Sequence, residues 1–152
     1  MSEAREAPVL AAALAFGAAL IHAQAAADHL GEYWLYGVLF VLVALAQAGW
    51  GVLVVRRPSR RLLLAGIIGS AAVFAVWVVS RTVGLPVGPD SAGPEELGVL
   101  DVIASIDELA IITLLGLQLA GIRRRPATAV ATASLVLVLL SSLAVAGGLH
   151  AH

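Results

Sequence analysis

Three acids occupy an otherwise apolar stretch of this chain, at Asp101, Asp107 and Glu108 between Leu97 and Ala120. A carboxylate in hydrocarbon costs several kcal/mol unless it is paired, protonated or ligating, so an intramembrane acid is a functional candidate. Asp101 and Glu108 are seven residues apart, so on a helix they project from nearly the same side, with Ser105 between them. Asp107 points elsewhere, toward Arg81, Gln47 or a neighbouring subunit. The first apolar run offers the obvious partners. His22, His29 and Glu32 fall at i, i+7 and i+10, within about 80° around one helix face. Asp28 lies on another face and reads as a solvated residue at the helix end.

Imidazole and carboxylate without sulfur suit zinc, non-haem iron, manganese or copper(II), with zinc or iron favoured. The sequence has no Cys, and its only Met is Met1, which removes thiolate and thioether sites together. Four ligands drawn from His22, His29, Glu32, Asp101 and Glu108 would complete a tetrahedral or an open site, with Arg81, Ser105 and Asp107 as supporting or gating groups. The bland alternatives are solvated His29 and Glu32, and an ion pair of Arg81 with the acids. His22 lies inside the apolar run and needs a partner in any case. Haem is a second cofactor reading, in which His22 or His29 opposes His150 across the bundle. A third uses the same acids and histidines as a proton or ion pathway.

The elements that would position these groups are five apolar runs, at 8–29, 33–55, 62–84, 97–121 and 127–148. Each is near the roughly 20 residues that span a bilayer core. Hydrophobic residues make up 61% of the 152 positions, and the mean hydropathy is +0.98, both beyond the soluble range. The expectation is therefore a single all-α domain, 1–152, built as a polytopic bundle of five transmembrane helices. Its formal net charge of −1 gives no reason to expect a nucleic-acid partner. Tyr33, Trp34 and Tyr36 at one end of the second run, and Trp50 at the other, resemble interfacial aromatic belts.

Seven of the nine basic residues, Arg56, Arg57, Arg60, Arg61 and Arg123 to Arg125, fill two short connections. The positive-inside rule places these connections in the cytoplasm, with the N-terminus inside and the C-terminus outside. All four histidines and every acid except Glu3 and Glu6 then fall in the outer half. A rise of about 1.5 Å per residue puts His22 level with the span between Asp101 and Glu108. Residues 8–21, followed by Ala-Gln-Ala-Ala-Ala, also suit a signal peptide, but the leading Ser-Glu-Ala-Arg-Glu lacks the positive charge of one. A location in a bacterial plasma membrane follows, with the bilayer as partner and a homo-oligomer or larger complex as a further one.

The connection between the third and fourth runs is stiffened by Pro86, Pro89 and Pro94 and turned by Gly84, Gly88 and Gly93. It reads as an outer turn or as a cover over the mouth of the bundle, with Arg81 beside the acids. Pro94 suits the first turn of the following helix, and Glu95 and Glu96 its N-terminal dipole. The run Ser80-Arg81-Thr82-x-Gly84-Leu85-Pro86-x-Gly88-Pro89, with the upstream His22-x6-His29-x2-Glu32, resembles a signature of small uncharacterised polytopic membrane proteins of high-GC bacteria. That resemblance implies a multi-pass membrane fold and transfers no activity.

Overall fold

The computed structural model describes residues 3–88 and 93–122. Within them the chain forms α1 (Glu3–Glu32), α2 (Trp34–Arg56), α3 (Arg60–Thr82) and α4 (Val99–Leu119), with no strand among the described residues. The fifth expected run, 127–148, lies outside them, as do Arg123 to Arg125 and His150. Among the described residues, three helices are long and apolar enough to cross a membrane: Arg5–Glu32, Trp34–Arg56 and Arg60–Thr82.

Connections are short, as the sequence requires of antiparallel neighbours. Tyr33 alone, in extended conformation, separates α1 from α2, and its N–H still bonds the His29 carbonyl at 2.8 Å. At the other end of α2, Pro58 cannot continue a helix, and the Ser59 hydroxyl caps α3 by accepting from the Leu62 N–H at 3.3 Å. The fourth helix starts two residues later than the apolar run suggests. Glu95 and Glu96 therefore stand outside it, and Asp101 is the acid of its first turn, accepting from the Gly98 N–H at 3.3 Å.

Helix α1 is the centre of the bundle. It packs against α2 and α4, α3 packs against α4, and α2 barely touches α3. Its most apolar window is 56% buried, against 11% for α2 and 17% for α3, because closely spaced alanines let neighbours approach. Ala11, Ala12, Leu14 and Ala15 join Val54, Leu63, Ile111, Leu114 and Leu115 in a dry core. This core fills the end of the bundle where the arginine-rich turn lies.

The outside is apolar too. Leu42, Leu45, Leu53, Ile68 and Val76 are exposed, whereas His22, Ser105, Asp107 and Glu108 are buried. Apolar flanks around a polar interior reverse the soluble pattern, and suit a protein whose solvent is lipid.

One contact in the core is tight enough to test. The Trp50 indole donates to the Leu62 carbonyl at 2.8 Å, and its ring lies over Gly66. A Cβ at position 66 would stand 2.3 Å from Trp50 Cζ2 and 2.9 Å from Leu115 Cδ1. Gly66→Ala is expected to cost about 1–3 kcal/mol of stability, the usual cost of overpacking. Thermal unfolding in detergent measures it. If the clash is the cause, Trp50→Ala combined with Gly66→Ala loses less than the sum of the two single changes.

Candidate functional site: a polar-ended cavity between the helices

Among the described residues α2 and α3 scarcely meet, which leaves a gap between them, walled behind by α1 and α4. It holds a cavity of about 270 Å³. Its sides are apolar: Leu39, Phe40 and Val43 from α2, and Val73, Phe74 and Trp77 from α3. Aromatic rings dominate. His22 stacks on Phe40 with ring centres 5.7 Å apart, His29 meets the edge of the same ring at 5.1 Å, and Phe74 lies 5.7 Å from Trp77.

Polar groups reach the cavity in two layers. The outer layer is built around Arg81, in the last turn of α3. Its guanidinium donates to Glu95 and to Asp101, and Nη1 also reaches the Ser80 hydroxyl at 3.3 Å. The backbone joins in, with the Glu95 N–H bonding the Ser80 carbonyl at 3.0 Å. Arg81 thus ties the end of α3, the returning connection and the start of α4 into one knot. The inner layer lies one stretch of helix deeper, with Ser105, Glu108 and His22. Glu108 is 1% exposed and accepts from the Gln47 amide of α2. His22 is 7% exposed, and its Nε2 stands 4.0 Å from Glu108 Oε1, beyond hydrogen-bond distance.

Several buried polar atoms have no hydrogen-bond partner among the described residues: His22 Nε2, His29 Nδ1, Trp77 Nε1, Arg81 Nε and Glu108 Oε2, with Gln47 Oε1 beside them. Native interiors leave few such atoms, so a cluster of them on one cavity makes it the candidate site among the described residues.

The connection from α3 to α4, described at 83–88 and 93–98, runs over the end of the cavity remote from the arginine-rich turn. The Tyr36 hydroxyl of α2 donates to the Val87 carbonyl, which carries the connection across the gap to the opposite helix. Gly84 and Gly88 make this path possible, with φ of +85° and +108°. A Cβ would meet the Gly93 carbonyl oxygen at the first and the Tyr36 hydroxyl at the second, both at 2.5 Å.

The residues singled out by sequence are divided by this arrangement. His22, His29, Asp101, Ser105 and Glu108 all line the cavity with Arg81. Glu32 is exposed and lines an adjoining pocket of about 190 Å³, which shares His29, Tyr36, Arg81 and Glu95 with the larger cavity. Asp107 is fully buried and lines neither cavity. Among the described residues, no group of three or more His, Asp or Glu side chains is placed to hold a metal ion. The physical reason is visible. Asp101 is engaged by a guanidinium, the protein's own cation, and only His22 and Glu108 approach each other. The haem alternative depends on His150, outside the described residues. Sequence spacing did not point to Gln47 as the partner of Glu108, nor to the Phe40, Phe74 and Trp77 walls. Their placement depends on how α2 and α3 rotate against α1, which one chain's periodicity does not encode.

Fold and cavity together define a helical bundle of membrane type with a polar-ended interior site. Comparison with protein-family models, curated proteins and solved structures finds no match.

Proposed function

We propose that this chain is a multi-pass protein of a bacterial plasma membrane that binds a small, largely apolar molecule in the outer half of its bundle. In this reading 127–148 supplies a fifth transmembrane helix, the N-terminus is cytoplasmic and the mouth opens outward. The observation that carries it is the aromatic-walled gap ending on unpartnered buried atoms of His22, Trp77 and Glu108. Binding sites are concave, mainly apolar and fitted with a few converging polar groups. The dry core beneath the cavity supports a binding role over a through-path within one copy of the chain. Lipid covers the exposed apolar flanks of α2 and α3, or a second copy or a larger complex does.

Filling the gap tests the reading. Val73→Trp places an indole in the cavity from α3 without touching the polar layers. Protein purified in mild detergent is extracted with organic solvent, and the extract is analysed by mass spectrometry. A lipophilic compound present near stoichiometry in the parent, and depleted at least about tenfold in a Val73→Trp variant of equal melting temperature, is the expected result. Equal recovery from both would count against the cavity as its seat.

A second reading rests on the approach of His22 Nε2 to Glu108 and on the lack of a partner at His22 Nε2 and Glu108 Oε2. These two atoms would be the first ligands of a zinc or iron ion, with His29 further out and water completing the shell. Elemental analysis separates the two readings. Near-stoichiometric metal that is lost in His22→Ala would replace the small-molecule proposal.

A further inference from the structure

The charges around the cavity do not balance, and the imbalance specifies what kind of molecule fits. Its lining carries one guanidinium, Arg81, and three carboxyls, Glu95, Asp101 and Glu108. Arg81 is already matched, one terminal nitrogen to Glu95 and the other to Asp101. Glu108 is left, 1% exposed, with an amide on one oxygen and, among the described residues, no partner on the other. The nearest group able to carry positive charge is His22, at 4.0 Å. A buried carboxylate without a cation bears a large desolvation cost, so the site favours a ligand that supplies one. An anionic ligand would place a further acid beside these three carboxyls, so the lining disfavours fatty acids and phosphates.

The walls favour the same charge. The faces of Phe and Trp rings carry negative potential, and a cation over them gains most where water is excluded. Phe40, Phe74 and Trp77 line the cavity on both sides. Aromatic walls and an uncompensated carboxyl are separate features, and both select for positive charge on an apolar body.

We propose that the cavity binds a hydrophobic organic cation, a protonated amine or a quaternary ammonium, whose charge lies against Glu108 and the surrounding aromatic rings. This rests on the small-molecule reading above and narrows it to one chemical class. The Arg81 knot lies at the outer mouth, and the apolar gap between α2 and α3 admits the ligand's hydrocarbon part.

A pair of probes of nearly equal shape tests it. Benzyltrimethylammonium carries the cation, and neopentylbenzene replaces its nitrogen with carbon. Binding of each is measured by equilibrium dialysis against the full-length protein in phosphatidylcholine nanodiscs, with uptake by empty nanodiscs subtracted. The cation is expected to bind at least about tenfold more tightly than its neutral counterpart. That preference falls to about unity in Glu108→Gln, which keeps the shape and removes the charge. It is reduced in Phe40→Leu, which keeps the carboxyl and removes a ring. Equal binding of both probes, or a preference unchanged in Glu108→Gln, overturns the cation assignment while the cavity stands. Binding of neither probe, or equal binding by the parent and Val73→Trp, overturns the cavity reading together with it.

Discussion

Replacing Arg81 by Met is expected to destabilise the protein by about 3 kcal/mol. This lies between the negligible worth of exposed ion pairs and the 3–5 kcal/mol lost when one partner of a buried pair is removed. The intermediate value follows from the side-chain exposures: 12% for Arg81, 26% for Glu95 and 34% for Asp101. Arg81→Met strands two carboxylates beside each other, and the loss of their common partner adds repulsion between them. It also releases the connection that returns from α3 to α4, held otherwise by Glu95 N–H on the Ser80 carbonyl and by Tyr36 on Val87. Arg57→Met, at an exposed position in the turn between α2 and α3, is the control and is expected to stay within about 0.5 kcal/mol. Thermal unfolding in detergent compares the two. If Arg81→Met melts with the parent, the knot is a surface pairing and does not hold the mouth of the cavity. Adding Glu95→Gln and Asp101→Asn to Arg81→Met should restore part of the loss, because neutral amides remove the repulsion.

This knot shows what one chain's sequence can and cannot specify. The helices were legible because burial in lipid demands long apolar runs. The boundaries of α2 and α3 fall within two residues of the runs that predict them. Depth was legible as well, since helical rise turns residue number into height, and His22 does come level with Glu108. Competition between partners was not. Spacing alone makes Glu95 a helix-dipole residue and leaves Asp101 open between a metal ion and Arg81, and both meet Arg81. The short connection brings Arg81 beside the acids of α4, but local periodicity does not say which of them it meets. Gln47 illustrates the same limit from the other side. It is a lone amide in an apolar helix, and only the rotation of α2 against α1 decides that it faces Glu108. The cavity itself is a consequence of what fails to pack, α2 against α3, and a missing contact leaves no sequence signal of its own.

The pair formed by Gln47 and Glu108 yields the second large effect, and its sign separates a structural role from a functional one. Gln47→Leu alone removes the only hydrogen bond Glu108 makes among those described, and is expected to cost about 2–4 kcal/mol. If the pair existed for stability, replacing both members would be worse still. The opposite is expected of Gln47→Leu combined with Glu108→Met. The double variant removes the Glu108 carboxyl and the Gln47 amide, whose oxygens Oε2 and Oε1 have no partner, and fills the space with apolar groups. Such replacements of incompletely satisfied buried polar groups stabilise by about 1–4 kcal/mol, so the double variant should unfold at a higher temperature than the parent. Interhelical hydrogen bonds within membranes average only about 0.6 kcal/mol, so losing this one does not reverse the sign. A double variant less stable than Gln47→Leu alone would show the carboxyl to be part of the bundle's framework. A more stable one that no longer binds the cationic probe would mean that Glu108 is held in hydrocarbon at a cost to the fold, for the sake of what it binds.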